Sequence, residues 1–141
     1  MMISSRGRYA LRVMLDMAKQ HSTQNISVRD LAARQNISRK YLESIMTALC
    51  KANLIESETG KDGGYRLRRA PEEYTAGEVL RAVEGELAPV SCVTPDGKKC
   101  DGACGCIALP FWQGLEQHIN TYVDSYTLQD LLISQQEKKE N

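Results

Sequence analysis

Residues 27–49 read SVRDLAARQNISRKYLESIMTAL, two short amphipathic segments joined by a tight polar link. Ser27 begins a capping-box pattern with Asp30, which predicts the start of a short helix. Ser38 caps a second helix after the link Gln35-Asn36-Ile37. The apolar residues of that helix recur at i, i+3, i+4 and i+7, as Leu42, Ile45, Met46 and Leu49. Two short helices joined by such a turn predict a helix-turn-helix.

The outward face at the start of the second helix is the part that enters the major groove in proteins of this kind. Glu43 is an acid on this otherwise basic face, and its carboxylate can accept a hydrogen bond from cytosine while repelling phosphate. A simple intrahelical pair with Lys40 is the alternative role for Glu43. The predicted recognition face consists of Ser38, Arg39, Lys40, Tyr41, Glu43 and Ser44.

A glycine-rich turn follows the second helix. Residues 54–58 and 65–69 alternate in polarity on either side of residues 59–64, which predicts a β-hairpin. A hairpin directly behind a helix-turn-helix is the wing of a winged helix. Lys61, the Gly63–Gly64 backbone and Tyr65 are expected to approach a phosphate or the minor groove. A purely structural hairpin is the alternative.

Helical patterns flank this unit. One covers residues 6–20, and Thr75-Ala76-Gly77-Glu78 caps another with Val79, Leu80 and Val83 inward. A long helix is predicted from Ile107 to about Tyr126, with Pro110 in its first turn. Its single apolar seam predicts pairing with a second copy of the chain. The seam consists of Trp112, Leu115, Ile119, Tyr122, Val123 and Tyr126.

A short helix capped by Thr127 and a frayed, charged tail over residues 135–141 are expected to end the chain. The predicted fold is mostly α with a small β-hairpin wing. Its parts are a winged helix-turn-helix over residues 1–70, a connecting helix over 71–90, a cysteine-rich loop over 91–106, and the dimerisation helix, short helix and tail over 107–141.

Charge is divided unevenly along a chain with zero formal net charge. Residues 1–70 hold 13 of the 18 Lys and Arg residues and only 6 of the 18 Asp and Glu residues. A basic half suits duplex DNA, because each neutralised phosphate releases condensed counterions. The sequence has no run of eighteen apolar residues and no secretory pattern at Met1–Arg6, so a cytoplasmic protein without membrane contact is expected.

Four of the five cysteines lie within fifteen positions. Cys50 stands apart on a predicted helix, whereas the cluster is Cys92, Cys100, Cys104 and Cys106. Thiolates suit iron–sulfur clusters and zinc. The one-residue spacing of Cys104 and Cys106 is tighter than zinc pairs use. An iron–sulfur cluster, a thiol-based redox switch, and a zinc site or inert loop are the alternatives. No catalytic Ser/His/Asp pattern or phosphate-binding glycine loop indicates an enzyme.

Several separate motifs then occur in one order. They are Arg6-Gly7-Arg8-Tyr9-Ala10, Tyr41-Leu42-Glu43, Gly63-Gly64-Tyr65, Ala76-Gly77-Glu78-Val79 and the cysteine-rich loop before Trp112. In these the chain resembles the BadM/Rrf-two family of transcriptional regulators, most closely its iron–sulfur cluster regulators, over residues 2 to about 132. The resemblance implies a homodimeric winged-helix repressor or dual regulator of a palindromic operator. The expected DNA-contacting set then also includes Ser4, Arg6, Tyr9 and Arg29.

The resemblance also implies an iron–sulfur cluster, 2Fe-2S or alternatively 4Fe-4S, held by Cys92, Cys100 and Cys106. Cys104 is then an additional thiol and a candidate fourth ligand. The sequence departs from the family pattern in two respects. The gap from Cys92 to Cys100 is longer than usual, and the family's ligating histidine falls on Leu109.

Relatives that sense nitric oxide use an acidic residue near the amino terminus, at a position that is Arg8 here. Three ligands therefore carry over and the fourth does not. The expected function is cluster-modulated regulation of cluster-assembly or related genes. The alternative is a thiol-based redox, nitric oxide or cysteine-metabolism regulator of the same fold without a stable cluster.

Overall fold

The computed structural model describes residues 3–20, 24–94 and 106–140. The chain is mostly helical with one two-stranded hairpin, so the predicted fold class is confirmed. None of the described helices is long and apolar enough to cross a membrane. In chain order the elements are α1 (Ser5–Gln20), α2 (Val28–Gln35), α3 (Arg39–Lys51), β1 (Ile55–Glu58), β2 (Gly64–Leu67), a 3-10 turn (Pro71–Glu73), α4 (Ala76–Glu84), a second 3-10 turn (Ser91–Val93), α5 (Leu109–Asp124) and α6 (Leu128–Glu140).

The helix-turn-helix forms as its capping residues predict. Ser27 Oγ accepts a hydrogen bond from the amide of Asp30 at 3.1 Å, and Ser38 Oγ accepts one from the amide of Tyr41 at 3.1 Å. Asn36 ends α2 in the left-handed conformation, with φ of 54°. Asparagine adopts this conformation more readily than most residues, which allows the chain to turn at once into α3.

The core lies between α1 and the helix-turn-helix and extends beyond residue 70. Tyr74, Val79 of α4 and Leu128 of α6 are fully buried in the same cluster as the first three helices. α4 and α6 therefore pack directly against the winged helix. The buried side chains from α1, α2 and α3 are Ala10, Val13, Met14, Met17, Ala18, Leu31, Ala32, Leu42, Ile45, Met46 and Leu49.

The wing is an antiparallel hairpin with a third strand reduced to one residue. β1 pairs with β2 from Ile55–Leu67 to Glu58–Gly64. Ile26 exchanges two backbone hydrogen bonds with Tyr65, at 2.8 and 2.9 Å. These bonds fasten the wing to the segment that leads into α2, so the wing and the helix-turn-helix form one unit.

The carboxy-terminal helices differ in length from the prediction. α5 spans Leu109–Asp124, shorter than the predicted Ile107 to about Tyr126, although Pro110 lies in its first turn as expected. α6 is not a short helix with a frayed tail, because it continues from Leu128 to Glu140. The residues near its end are mostly Gln, Glu and Lys, which favour helix without burial. A reversal at Ser125–Thr127 separates the two helices.

Candidate nucleic-acid interface

The amino-terminal turns of α3 present most of the predicted recognition face to solvent. Ser38, Arg39, Lys40, Glu43 and Ser44 are all exposed. Tyr41 departs from the prediction because it is half-buried, with its ring edge-on to Tyr9 at 5.9 Å between centroids. These two rings pack against the core between α1 and α3. The predicted DNA contacts of Tyr9 and Tyr41 are therefore restricted to the edges that remain accessible.

Glu43 carries an unpaired carboxylate within the described residues. No ion pair joins it to Lys40 there, and its backbone carbonyl accepts a hydrogen bond from Thr47 Oγ1 at 2.8 Å. The carboxylate is thus available to a ligand outside the chain. Thr47 is also exposed, one turn further along α3. Its hydroxyl makes a local hydrogen bond to the helix backbone, which the sequence pattern did not predict.

The amino end of α1 meets both α3 and α4. Arg6 Nη2 donates to the backbone carbonyl of Ser44 at 3.0 Å, which ties the first turn of α1 to the recognition helix. Ser4 donates to the Glu84 carboxylate from its amide at 3.1 Å and also from its hydroxyl. Ser4 and Arg6, both predicted DNA contacts, are therefore engaged within the chain.

The charged side chains of the wing form one paired group on the strands and leave Lys61 at the tip. Arg66 pairs with Glu56 at 2.9 Å and with Glu58 at 3.2 Å, so its charge is neutralised locally. Lys61 is exposed at the tip of the hairpin, as predicted. Gly63 also lies at the tip, where a Cβ would collide with the Glu58 carbonyl. The tip therefore approaches a ligand with backbone and with the Lys61 ammonium.

Asn25 is a wing residue that the sequence did not reveal. Its side-chain amide donates to Glu58 Oε2 at 2.6 Å and to the Asp62 carbonyl at 3.1 Å, so it holds both ends of the tip. It sits in the polar stretch before α2, which carries no periodic signal. Arg29, the predicted contact on α2, is exposed.

Tyr65 lies on β2, paired with Ser57 of β1. It is half-buried, and burial is the main cause that raises the pKa of its hydroxyl, with Cys50 and Glu43 of α3 acting in the same direction. Tyr65 therefore lies near the recognition helix. Its predicted contact with DNA, like that of Tyr41, is limited to the exposed part of the ring.

The described cysteines separate into two environments. Cys50 is half-buried on α3, where burial raises the pKa of its thiol and so disfavours the reactive thiolate. Cys92 lies in the 3-10 turn Ser91–Val93, which packs against α5, and Cys106 lies three residues before α5; both are half-buried. Cys100 and Cys104 fall outside the described residues.

The described side chains offer thiol donors for a cluster at either end of the cysteine-rich loop. Within residues 3–20, 24–94 and 106–140, no three metal-binding side chains converge. Cys92 and Cys106 nevertheless bracket the segment that holds the other two thiols, and thiol sulfur is the donor that iron–sulfur clusters use. His118 is exposed and its Nδ1 lies 2.7 Å from the Gly114 carbonyl, away from Cys106 along α5. The thiols fit such a cluster, and His118 adds no ligand.

The predicted seam of α5 is partly exposed in the single chain: Leu115, Tyr122 and Tyr126 are exposed, whereas Trp112, Ile119 and Val123 are half-buried. None of the side chains of α5 is fully buried, and Phe111 and Tyr122 are 65% and 64% exposed. The rings of Tyr122 and Tyr126 contact each other at a tilt of 55°, with centroids 5.1 Å apart. An apolar helix face of this length is characteristic of an interface.

A recognition helix with an exposed basic start, followed by a hairpin that is hydrogen-bonded to the segment before α2, defines a winged helix-turn-helix of the class that binds duplex DNA. The family model Rrf2, described as an iron-dependent transcriptional regulator, matches residues 3–134. The chain belongs to the Rrf2 family. Its members are transcriptional regulators, so the chain is a DNA-binding regulator and not an enzyme.

The relatives of the chain include proteins named IscR and proteins named CymR. The HTH-type transcriptional regulator IscR of Aliivibrio salmonicida is 35% identical over 133 residues, covering 94% of this chain and 78% of that protein. The structure of T. potens IscR matches with a TM-score of 0.77 and 30% identity, covering 98% of this chain and 90% of that one. The structure of CymR, the global cysteine regulator of B. subtilis, matches with a TM-score of 0.74 and 34% identity, covering 93% and 95%.

Proposed function

We propose that the chain is a homodimeric repressor that binds a palindromic operator in the cytoplasm and whose affinity is set by an iron–sulfur cluster on its cysteine loop. The exposed amino-terminal face of α3, with Arg39 and Lys40 beside the unpaired Glu43, carries the DNA-binding part of this proposal. Helices placed in this way read base edges in the major groove. Lys61 at the tip of the wing adds a contact to the DNA phosphate backbone.

The DNA-binding proposal is tested by the salt dependence of binding. The affinity of the unaltered protein for operator DNA is measured between 50 and 200 mM salt, together with Arg39→Ala and Lys61→Ala. Each substitution should lower affinity and reduce the slope of log affinity against log salt by about 1, because one phosphate contact is lost. An unchanged slope in both variants would count against this interface.

The cluster proposal rests on thiols that flank the start of α5. Bound there, a cluster would contribute a redox-active and chemically labile cross-link between Cys92, Cys100 and Cys106. Cys92 and Cys106 would hold the two ends of the loop at the base of α5, where a change in the loop reaches the dimer seam. Cys104 is the candidate fourth ligand, because Leu109 stands where the family histidine is expected.

The cluster is tested by the iron content and visible spectrum of protein purified anaerobically with cluster-assembly support. Cys92→Ala should lose the iron and the colour. Cys50→Ala is the matched control, since Cys50 is remote in sequence and half-buried on α3, and it should keep both. A colourless, iron-free unaltered protein would contradict the cluster.

The second candidate function is thiol-based regulation without a cluster, as in a sensor of redox or cysteine status. The replacement of the family histidine by Leu109 favours it, as does the similarity to a protein named as a global cysteine regulator. It predicts that iron-free protein binds operator fully, and that mild oxidation of the loop thiols changes this affinity reversibly. The cluster proposal predicts that loading with iron changes the affinity.

A further inference from the structure

Glu84 joins two elements that the predicted interface depends on. It is the last residue of α4, and its carboxylate oxygen Oε1 accepts hydrogen bonds from the amide of Ser4, at 3.1 Å, and from the Ser4 hydroxyl. Ser4 in turn caps α1, because its hydroxyl oxygen accepts from the amide of Gly7 at 3.3 Å. Glu84 therefore fixes the residue that caps α1.

The Glu84 carboxylate lies in the space that a side chain at Gly7 would occupy. Gly7 is buried, and a Cβ built on it would collide with Glu84 Oε1. The φ of Gly7 is not in the left-handed region, so its conformation does not require glycine. The atom that such a Cβ would meet is the far end of the flexible Glu84 side chain, so the close approach shows how tightly Glu84 packs onto the first turn of α1.

The contact continues to the recognition helix. Two residues after Ser4, Arg6 donates to the Ser44 carbonyl on α3 at 3.0 Å. The Arg6 Nε atom is buried without a hydrogen-bond partner in the described structure, so the guanidinium is held mainly by this one bond. A shift of the first turn of α1 would move Arg6 and release α3 at the turn that carries Ser44.

We propose that Glu84 is a positioning residue for DNA binding: by anchoring Ser4 it fixes the first turn of α1, and through Arg6 the orientation of the recognition helix. Glu84 does not touch DNA in this proposal. The proposal rests on the DNA-binding interface described above, in which α3 enters the major groove. It also connects that interface to the chain that leads from α4, through Gly85, to Cys92.

The test compares two substitutions at Glu84 with the same two at Glu86. Glu86 is exposed two residues further on, so it provides the same change of charge without the contact to Ser4. Affinity is measured for a palindromic site selected from random duplex DNA by the unaltered protein, at a temperature well below the melting of every variant. Melting temperature and dimer mass are recorded in parallel.

Glu84→Ala should weaken binding about five- to tenfold, the size expected from losing the hydrogen bonds that Ser4 donates to Glu84. Glu84→Gln should restore binding to within about threefold, because the amide oxygen still accepts from Ser4. Both Glu86 variants should bind as the unaltered protein does. Restoration by Gln separates positioning from charge, since both substitutions remove the negative charge.

Three outcomes would overturn the proposal. Tighter binding in both Glu84 variants would mean that the carboxylate only repels phosphate. A lowered melting temperature with unchanged affinity would mean that Glu84 only stabilises the fold. Failure of the unaltered protein to bind any duplex would remove the DNA-binding interface as well, and it is recognised because the Glu86 controls fail too.

Discussion

Arg81 of α4 forms a bidentate ion pair with Asp124 of α5, in which Nη1 donates to Oδ1 at 2.8 Å and Nη2 donates to Oδ2 at 2.9 Å. The same Nη2 donates to Asn120 Oδ1 at 2.7 Å. A two-pronged ion pair fixes direction as well as distance. It therefore contributes to the orientation of α5 relative to α4.

The ion pair predicts a pH dependence of stability. Hydrogen bonding from Arg81 is the main cause that lowers the pKa of Asp124 below its ordinary value. A carboxylate whose folded-state pKa is lowered stabilises the fold above its unfolded pKa, about 3.9, and loses that contribution as pH falls through the folded pKa. Asp124→Asn should thus be less stable than the unaltered protein at pH 7 and similar to it in strong acid.

Urea unfolding at a series of pH values measures this difference. It should stay constant from pH 7 to about pH 5 and shrink below about pH 4. Arg34→Met is a control that breaks a different ion pair, to Asp16 on α1, and leaves the Asp124 titration intact. A difference that did not change with pH would show that Asp124 acts by packing alone.

We expect that removing the hydroxyl oxygen of Tyr74 causes a large loss of stability. The side chain is fully buried, and its hydroxyl donates to the Leu54 carbonyl at 2.6 Å while accepting from the amides of Arg68 and Arg69 at 2.9 and 3.0 Å. Tyr74→Phe leaves three backbone groups without this partner. We expect a loss of about 2–3 kcal/mol in urea unfolding, with the fold retained. A loss under about 0.5 kcal/mol would mean that water replaces the hydroxyl.

Gly64 predicts a local effect on the wing. It has φ of 149°, and a Cβ built on it would collide with the carbonyl of Ile26, the residue that bridges to Tyr65. Gly64→Ala should break that bridge and cost about 2 kcal/mol or more, because strain and collision add. Gly60→Ala is the matched control, since Gly60 has φ of 111° and open space around its Cα.

Hydrogen exchange measures this local opening. Faster exchange at the Ile26 and Tyr65 amides in Gly64→Ala, with slow exchange retained in α1, is the expected pattern. Gly60→Ala should cost only the backbone strain, about 1 kcal/mol. Equal effects of the two substitutions would show that strain dominates and that the close approach to Ile26 does not matter.

Local signals in the sequence predicted the winged helix well, whereas contacts between distant elements were not predictable. Ser27, Ser38, Thr75 and Thr127 all cap helices as expected, because capping depends on neighbours in the chain. Nothing local shows that Glu84 reaches Ser4. The same limit explains Tyr41, which was predicted to lie on the exposed recognition face. It is half-buried because it packs against Tyr9, which is distant in the chain.

The carboxy-terminal helices show a second limit. The apolar pattern placed α5 approximately, but the pattern continues through Tyr126, beyond the end of the helix at Asp124. The turn arises because the amide of Ala76 donates to the Tyr126 carbonyl at 2.9 Å and the amide of Leu128 to the Tyr74 carbonyl at 3.0 Å. Hydrogen-bond partners about fifty residues away in the chain determine where α5 ends. The periodicity of the local sequence could therefore not predict this boundary.

Glu43 predicts base discrimination. Its carboxylate is exposed and unpaired within the described residues, so it can accept from a cytosine amino group and disfavour other bases by desolvation and repulsion. Glu43→Ala should therefore bind a wider range of sites selected from random DNA, with the change confined to one or two positions in each half-site. Each affected position should lose about 1–3 kcal/mol of discrimination. Identical site preference in both proteins would remove this role.

The exposed seam of α5 predicts a dimer that a single charge can dissociate. Tyr122 is 64% exposed in the single chain, so Tyr122→Glu should leave the fold of that chain intact. In a two-fold interface the substitution places two unpaired carboxylates against apolar surface. We expect dissociation to increase at least a hundredfold, about 3 kcal/mol. Ile133→Glu is the matched control, since Ile133 is an exposed apolar residue of α6 outside the seam.

Sedimentation over a range of concentrations gives the dimer affinity of each protein. Tyr122→Glu should sediment as a monomer where the unaltered protein and Ile133→Glu are dimers. Because a monomer engages only one half-site, its affinity for the full palindrome should fall to that for a single half-site. A Tyr122→Glu protein that still formed dimers and kept full operator affinity would place the interface elsewhere on the chain.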